Sequence, residues 1–488
     1  MKHRFVAPLT ILVLLASQLF SMSKTDSRLS AIQAELKLLE TWVEAQQQYR
    51  DIPGISIGLV YDQELVYAKG FGVADLEQKS PVNPDTPFRM ASITKTFTAT
   101  AILQLRDAGK LRLDDPVVNY LPWFNIKQSY PDQPPITIRH LLTHTSGLPR
   151  EADFPYWTDH NFPTMEQIKT TLATQKTIYP PGTQIKYSNL GLSLAGEIVA
   201  AVSGESYENY IRSHILEPLG MTGSAVIPDA SYKRSLVTPY GHRLEGSTHK
   251  VEEYTETKGI AAAASLASTV NDLANYVSLQ FRENDNAQSA VVKGSTLKEM
   301  HRVQFLEPGW SSGWGLGWSV WQRKGKTING HAGWVGGNRT QIMFIPEDKI
   351  GVIVLTNSDD GEPSFFARHI LDYMGSAILA AYAPAQAAPT FDPSWGKYAG
   401  TYIEPGPYYT LVLIKGESLI MSTLSYPPED NPGSEVIELI PVGKDSFRMT
   451  GDNGNGELVI FEYDKTGKLY QVKVGSNYIY PESLYQGR

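Results

Sequence analysis

An Ala- and Pro-rich stretch at residues 381–390 divides the chain into two parts with different hydrophobic patterns. Before it, helical and strand-like periods follow one another, whereas residues 391–488 contain short alternating runs separated by turn residues. The clearest of these runs are residues 411–414, 419–422, 436–440, 458–463 and 469–474. We therefore expect a main domain over residues 27–380, a linker, and a separate C-terminal β-barrel or sandwich.

The main domain carries strand-like runs near both of its ends and helical patterns between them. These segments are helical residues 27–48, strands 55–61 and 65–67, helical residues 97–105 and 136–142, and strands 340–345 and 350–355. Strand pairs contributed by the two ends of a domain favour a single sheet closed by both termini, as in an α+β fold.

The composition excludes several classes of function. The chain has no cysteine, which excludes thiolate catalysis, disulfides, Cys-ligated zinc and lipid attachment at a lipobox cysteine. Its formal net charge is −8 without a long basic run, which argues against nucleic acid as a partner. Hydrophobic residues make up 42%, a proportion typical of soluble globular proteins.

The first 23 residues have the pattern of a secretory signal peptide. A basic start is followed by an apolar run at residues 5–15, and Ser21 and Ser23 offer small residues for cleavage. The run is short for a membrane-spanning helix, which needs about 20 apolar residues. We expect a periplasmic or secreted protein without stable membrane insertion after cleavage.

Ser92 and Lys95 are spaced one helical turn apart. Serine needs a base to act as a nucleophile, and residues i and i+3 lie on one face of a helix. Ser92 also follows an extended run and precedes an apolar helix, whose N-terminus favours a developing negative charge. Alone the pattern is weak, because a serine before a helix is usually an N-cap. The same spacing begins at Ser21, Ser247, Ser295 and Ser394, where the surrounding sequence supplies no partners.

Two later motifs supply partners for Ser92. Tyr187 and Asn189 flank a small residue, placing a phenol that relays protons beside an amide that orients a substrate. His331 and Gly333 begin the second strand pair, where a glycine-containing edge lets a substrate backbone pair as an extra strand. A similar triplet at Tyr207 lies in a charged helical stretch, which predicts a solvated surface.

In this order the motifs resemble those of the penicillin-recognising serine hydrolases, which include class C β-lactamases, D-alanyl-D-alanine carboxypeptidases, D-aminopeptidases and related esterases. The resemblance spans about residues 30–380. It includes FRMASITK at 88–95, LDDP at 113–116, ITIRHLLTHTSGL at 136–148 and EPLGM at 217–221. It implies a β-lactamase/transpeptidase-like α+β fold with an antiparallel sheet and a helical domain, and a lipocalin-like barrel for the tail.

The resemblance also implies the catalytic roles. Ser92 would form an acyl-enzyme with Lys95 and Tyr187 as its acid–base partners, and no metal or other cofactor would take part. The backbone N–H groups of Ser92 and Trp334 would hold the oxyanion. Whether Lys95 or Tyr187 is the general base stays open at this point.

The implied substrate is a small peptide, a β-lactam or an ester. Asn189 would orient the acyl side-chain amide, and His331 and Gly333 would bind the leaving side. A histidine at 331, where efficient class C β-lactamases usually carry lysine, favours a peptidase or amidase of the carboxypeptidase or aminopeptidase type. A carboxylesterase, a class C-like β-lactamase and a non-catalytic penicillin-binding-like protein are the alternatives.

Three further patterns favour structural roles. His140 and His144 are spaced like a metal pair but lack the HExxH glutamate, so we interpret both as structural. The GWSSG letters at 309–313 lack the flanking strand and helix of a nucleophile elbow and predict a loop. The literal KTG at 465–467 predicts a hairpin turn.

Overall fold

The computed structural model describes residues 32–130, 132–244, 247–283, 291–382, 392–404, 408–415, 418–424, 436–450 and 456–485. The chain forms two compact units, one ending at Tyr382 and one formed by the residues after it. The predicted signal peptide at residues 1–23 lies outside the described residues, as does the predicted linker apart from residues 381 and 382. Those two residues are helical rather than linker.

Helices surround the sheet of the first unit. In the described residues the α-helices are α1 (Gln33–Tyr49), α2 (Thr94–Asp107), α3 (Ile138–Leu142), α4 (Met165–Thr171), α5 (Asn189–Ser203), α6 (Tyr207–Ile211), α7 (Ala230–Lys233), α8 (Ala261–Ala264), α9 (Val270–Gln280), α10 (Gly294–His301) and α11 (Pro363–Tyr382). Shorter helical turns are Ala91–Ile93, Val117–Asn119, Leu172–Thr174, Arg212–Leu216 and Lys258–Ile260. The three helical patterns identified from sequence correspond to α1, α2 and α3.

Within the described residues, nine of the eleven strands of the first unit form one large antiparallel sheet. The eleven strands are β1 (Gly54–Tyr61), β2 (Glu64–Asp75), β3 (Ser80–Pro81), β4 (Phe88–Arg89), β5 (Ala267–Ser268), β6 (Phe305–Leu306), β7 (Ser312–Trp314), β8 (Ser319–Arg323), β9 (Lys326–Val335), β10 (Asn338–Ile345) and β11 (Ile350–Thr356). The large sheet has the order β3-β2-β1-β11-β10-β9-β8-β7-β6, and β4 pairs separately with β5.

The two ends of the domain close this sheet, as the sequence predicts. Strand β1 pairs with β11 in the register Ile55↔Thr356 through Tyr61↔Ile350. Strand β2 is longer than its predicted core because it continues through two glycines, and a Cβ at Gly70 would lie 2.0 Å from the carbonyl oxygen of Val82. Glycine is required at this position because the backbone of Val82, in the same polypeptide, passes too close for a side chain.

Helix α2 is buried on nearly every face and packs against α5 and α8. Its polar residues bond to the helix itself: the hydroxyls of Thr96 and Thr100 donate to the carbonyls of Ile93 and Thr96, each at 2.9 Å. Because these threonine hydroxyls donate to carbonyls of the preceding turn, they are not left without a hydrogen bond when they are buried. A helix with many threonines can therefore be buried on several faces with little loss of folding free energy. This anchoring gives the residues at the start of α2 a fixed position.

The second unit is a closed barrel of eight antiparallel strands, which confirms the predicted all-β tail. Its strands are β12 (Gly400–Glu404), β13 (Tyr408–Lys415), β14 (Ser418–Leu424), β15 (Val436–Gly443), β16 (Ser446–Met449), β17 (Leu458–Tyr463), β18 (Leu469–Val474) and β19 (Asn477–Pro481). Pairing of Ile403 with Tyr480 closes the barrel. Short helical turns at Pro393–Tyr398 and Glu482–Leu484 flank it. Among the described residues of both units, no helix combines the length and the apolar character that crossing a membrane requires.

Candidate active site

Ser92 lies in a tight helical turn, Ala91–Ile93, between β4 and α2. Ala91 has a φ of 46°, a left-handed conformation that is costly for a residue with a Cβ. The hydroxyl of Thr94 donates to the carbonyl of Ala91 at 2.6 Å and closes the turn. Ser92 does not cap α2, since the residue at that cap is Ile93. The N-cap interpretation of Ser92 is therefore excluded.

Lys95 lies one turn into the same helix, directly against Ser92. Its Nζ is 2.9 Å from Ser92 Oγ and also donates to the carbonyl of Ala263 at 2.9 Å. The side chain is completely buried. Burial, as the main cause, holds the pKa of Lys95 well below its usual range, and Glu151 partly offsets this effect. Burial thus shifts the balance toward the uncharged amine.

The hydroxyl of Tyr187 lies close enough to the side chain of Ser92 to interact with it. Burial raises the pKa of Tyr187, so its phenol is protonated at neutral pH. The Nζ of Lys95 lies 4.9 Å from the centre of the tyrosine ring. The structure therefore brings Ser92, Lys95 and Tyr187 together, as the sequence motifs predict.

His144 holds the tyrosine in place. Its ring lies 4.2 Å from the ring of Tyr187, and its Nδ1 accepts the backbone N–H of Ser188 at 3.2 Å. The Ser188 hydroxyl donates to the carbonyl of Pro149 and caps α5 by accepting from the N–H of Gly191. Because Ser188 is anchored on both sides, the tyrosine before it and the asparagine after it have fixed directions.

Asn189 begins α5 and points its amide at a carboxylate that the sequence analysis did not single out. Its Nδ2 donates to Oε1 of Glu151, which also accepts from Trp157 Nε1 at 3.0 Å. Burial, as the main cause, raises the pKa of Glu151. Glu151 lies three residues beyond Leu148, where the HTSGL motif ends, so the motif that identified His144 does not include it.

Strand β9 forms the other wall of the site. A Cβ at Gly333 would lie 2.1 Å from the carbonyl oxygen of Met90, so only glycine lets this strand approach the turn that holds Ser92. Residues 326–330 pair with β8, whereas residues 331–335 pair with β10 alone. The edge of β9 beside Ser92 is thus left without a strand partner among the described residues.

His331 lies on this strand and is uncharged. Its Nδ1 donates to the carbonyl of Ala332 at 2.7 Å, and its buried Nε2 has no hydrogen-bond partner in the described part of the chain. Burial, followed by the nearby Lys95, lowers the pKa of His331 to about 3. An imidazole in this state offers an acceptor and no positive charge.

A cleft of about 680 Å³ opens onto these residues. Its lining includes all the predicted site residues except Lys95 and Asn189, which lie buried behind it: the lining members are Ser92, Tyr187, His331, Gly333 and Trp334. Three arginines also line it, namely Arg150, Arg339 and Arg368. No sequence motif pointed to them, because isolated arginines carry no spacing that distinguishes a cleft from a surface.

Trp334 lies at the rim of the cleft and is 41% exposed. Its Nε1 donates to Oδ1 of Asp359 at 2.6 Å, and its ring lies 5.2 Å from the ring of Trp157. The pair of indoles connects β9 to the loop that carries Glu151. Trp314 covers the opposite side by packing against Tyr187 and His331.

The other sequence patterns have structural positions. Nδ1 of His140 accepts the backbone N–H of Thr137 in the capping box of α3, and His144 supports Tyr187, so both histidines are structural, as predicted. Within the described ranges, no group of three or more candidate ligands could hold a metal ion. The KTG letters at 465–467 form the turn between β17 and β18, with Gly467 N–H donating to the carbonyl of Asp464.

Two predictions need correction. The Tyr207 side chain is not solvated surface, because it faces α2 and its hydroxyl lies 2.7 Å from Thr98 Oγ1. The GWSSG segment is a loop only over residues 309–311. Ser312 begins β7, whose central Gly313 pairs with Leu306 and Val320. Ser311, the central serine of the pattern, is followed by strand β7 rather than by a helix, so it does not form a nucleophile elbow.

The family model named Beta-lactamase matches residues 39–373 of this sequence. The chain belongs to the Beta-lactamase family. It is 28% identical to Protein flp of Staphylococcus aureus (strain MW2) over 70% of this chain and 66% of that protein. It is 31% identical to Beta-lactamase-like protein 2 of Dictyostelium discoideum over 66% of this chain and 59% of that protein. The matches thus span less than two thirds of these curated relatives.

Two solved structures of the Beta-lactamase fold are similar over most of their length. The octameric penicillin-binding protein homologue from Pyrococcus abyssi is 30% identical, with a TM-score of 0.62 over 91% of this chain and 99% of that one. The β-lactamase/D-alanine carboxypeptidase from Yersinia pestis is 26% identical, with a TM-score of 0.56 over 68% of this chain and 95% of that one. The family is one of serine hydrolases, and the β-lactamase/transpeptidase-like fold that the sequence predicts is confirmed.

Proposed function

We propose that this member of the Beta-lactamase family is an exported serine peptidase or amidase, which cleaves a small peptide through an acyl-enzyme on Ser92. The observation that carries the proposal is the edge of β9 at residues 331–335, which lies beside Ser92 without a strand partner in the described chain. A peptide backbone has the N–H and C=O groups to pair with such an edge, whereas a simple ester has no N–H to donate.

The reaction proceeds in two acyl transfers. Ser92 Oγ forms a bond to the substrate carbonyl carbon while its proton passes to Lys95 Nζ, and the carbonyl oxygen becomes an oxyanion. The C–N bond then breaks, and the departing amine receives a proton through the Tyr187 hydroxyl. Water attacks the resulting ester, loses a proton to the same groups and releases the acid, which restores Ser92.

The directions of the two pKa shifts favour Lys95 as the base. The lowered pKa of Lys95 favours the uncharged amine, which can accept a proton, whereas the raised pKa of Tyr187 keeps the phenol protonated and able to donate one. Tyr187, whose hydroxyl interacts with Ser92, then shuttles the proton toward the leaving amine.

The cleft arginines favour a substrate that carries a carboxylate. The Nε of Arg339 is buried and lacks a hydrogen-bond partner in the described ranges, and Arg368 lines the same cleft. Since His331 is uncharged, the attraction for an anion comes from these guanidinium groups rather than from the residue at position 331. The carboxypeptidase named in the Yersinia pestis structure is consistent with such a substrate.

Matched substrates test the proposal. For each substrate, kcat/KM is divided by the rate of the uncatalysed hydrolysis. We expect this ratio to be higher for short peptides than for the corresponding methyl esters. We also expect Ser92→Ala to lose all turnover. Turnover of esters alone would instead identify a carboxylesterase, and rapid hydrolysis of penicillin a class C-like β-lactamase. Retention of peptide turnover by a folded Ser92→Ala protein would refute the mechanism.

We also propose that the protein is exported to the periplasm or secreted, on the basis of the sequence pattern at residues 1–23. N-terminal sequencing of protein recovered from outside the cytoplasm is expected to begin after Ser21 or Ser23. A start at Met1 in all fractions would contradict cleavage.

A further inference from the structure

Arg150 lines the cleft but takes no part in the reaction described above. It belongs to the segment between α3 and α4, and its guanidinium lies over the ring of Tyr187, 5.3 Å from the ring centre. Its side chain is half exposed, and its Nε is 3.7 Å from Oε1 of Glu151. Arginine stays charged across the working range of pH. A permanent positive charge therefore lies over the tyrosine that interacts with Ser92.

The other basic groups around Tyr187 are less able to carry a positive charge. Lys95 Nζ lies 4.9 Å from the centre of the tyrosine ring, and the rings of His144 and His331 lie 4.2 and 6.3 Å from it. Burial, as the main cause, lowers the pKa of all three groups. Among the described neighbours of the tyrosine, Arg150 is therefore the cation whose charge does not depend on pH.

Protonation of the departing amine leaves a negative charge on the tyrosine. Ser92 first gives its proton to Lys95. When the C–N bond breaks, the Tyr187 hydroxyl gives its proton to the leaving nitrogen, and the Lys95 ammonium then returns one to the tyrosine oxygen. Between these two transfers the phenol oxygen is negative. Burial makes this state costly, as the raised pKa of Tyr187 shows, and the positive charge of Arg150 acts in the opposite direction.

We propose that Arg150 is the fixed positive charge of the proton relay, and that it stabilises the negative Tyr187 oxygen while the leaving group is protonated. This role rests on the proposed function, because it concerns the departure of the leaving group from the Ser92 site. Arg150 acts through Tyr187 and exchanges no proton itself. It also accounts for an uncharged histidine at position 331, since the relay takes its positive charge from the segment that carries Arg150 and not from β9.

The choice of leaving group tests this role. Arg150→Gln removes the charge but keeps the carbonyl of residue 150, which accepts from the N–H groups of Asn189 and Leu190. One substrate is an N-acetylated, C-terminally amidated dipeptide, whose amine must gain a proton to leave. The other is the 4-nitrophenyl ester of the same acyl group, whose nitrophenolate leaves without one. We expect kcat/KM of the peptide to fall about 2–30-fold, the range of a cation–π contact, and that of the ester to change little. An equal or larger loss for the ester would overturn the proposal.

The pH profile separates an electrostatic role from a structural one. The charge of Arg150 also lowers the pKa of Lys95, and a protonated Lys95 does not accept the proton of Ser92. Removing the charge raises this pKa, so we expect the acid limb of kcat/KM to move to higher pH in Arg150→Gln. Arg150→Lys retains a cation and is expected to restore part of the peptide turnover and of the profile. An unchanged acid limb in Arg150→Gln, or no restoration by lysine, would contradict the assignment.

Arg212→Gln is the matched control. Arg212 is an exposed arginine that pairs with Glu217 and does not line the cleft, so the ratio of peptide to ester turnover should keep its wild-type value. If the wild type cleaves esters only, the methyl ester takes the place of the peptide, because methoxide also needs a proton to leave. Failure of the peptidase assignment is thus distinguished from failure of this proposal. A rise in KM confined to substrates with a carboxylate, with an unchanged ratio for the uncharged pair, would assign Arg150 to substrate binding instead and overturn its role in the relay.

Discussion

The amine of Lys95 and the hydroxyl of Ser92 are 2.9 Å apart at the start of a helix that is buried on nearly every face. Burial disfavours the charged form of this lysine, because removing an ammonium from water is costly. Protonation of the Lys95 amine is therefore expected to affect both catalysis and the free energy of unfolding.

Replacing Lys95 with methionine is expected to change how stability depends on pH. The unfolded chain binds a proton at this lysine below the usual pKa of about 10.4, whereas the folded chain binds it only below its own lowered pKa, so wild-type stability rises with pH between the two pKa values. The contribution of Lys95 to the slope of unfolding free energy against pH reaches about 1.4 kcal/mol per pH unit, and this contribution is absent from Lys95→Met. Urea unfolding at neutral pH and at higher pH measures it. A stability difference between the two proteins that does not vary with pH would contradict an uncharged lysine.

Gly333→Ala is expected to inactivate and destabilise the protein. The added Cβ would lie 2.1 Å from the carbonyl oxygen of Met90, which is backbone, so β9 must move away from the Ser92 turn at a cost of about 1–3 kcal/mol. Gly375→Ala in α11 is the matched control, since a Cβ there meets nothing within 4 Å, and is expected to be neutral or stabilising. Thermal unfolding and turnover of both variants measure the difference. Equal behaviour would show that the close approach is not required.

His144→Phe is expected to lower kcat with little change in KM. Phenylalanine retains an aromatic contact with Tyr187 but leaves the buried N–H of Ser188 without an acceptor, at a cost of about 1–3 kcal/mol in stability. His144 is a positioning residue, so we expect the pH dependence of kcat to keep its shape. A shifted profile would indicate instead that His144 takes part in proton transfer. His214→Phe, at a partly exposed histidine paired with Glu205, is the control.

Arg339→Gln is expected to raise KM for peptides that end in a free carboxylate and to spare the corresponding C-terminal amides. The guanidinium lines the cleft with its Nε unpaired in the described structure, and a charge-assisted bond to a carboxylate is worth about 1.5–3 kcal/mol. Arg323→Gln removes a strand arginine that pairs with Asp372 and does not line the cleft, so it should leave both substrates unaffected. Equal losses for acid and amide would contradict carboxylate recognition by Arg339.

The sequence predicts those parts of the structure that depend on local pattern. Strand β11 is a nearly continuous apolar run and β10 ends in one at residues 342–345. Strands β17 and β18 match their predicted bounds because Asp464 and Gly467 mark the turn between them. Three barrel strands, β12, β16 and β19, were not predicted, because they are four or five residues long and have weak alternation.

The site is predictable to the extent that its residues lie in spaced motifs. Ser92 and Lys95 share a helix, and Tyr187 and Asn189 flank one residue, so the sequence alone places each pair. Glu151 meets Asn189 only through tertiary folding, across 38 residues. For the same reason the uncharged state of His331, which is caused mainly by burial, depends on packing and not on its position in the chain.

The most direct test of the account is the mass of the intact protein after exposure to a fluorophosphonate and, separately, to benzylpenicillin, with peptide mapping of any adduct. We predict a single fluorophosphonate adduct on Ser92 that is absent from Ser92→Ala, and slower or weaker labelling in Lys95→Met. A penicillin adduct that persists on Ser92 would indicate slow deacylation, as in a carboxypeptidase. No adduct with either reagent, or labelling of another serine, would contradict the assignment of Ser92 as the nucleophile.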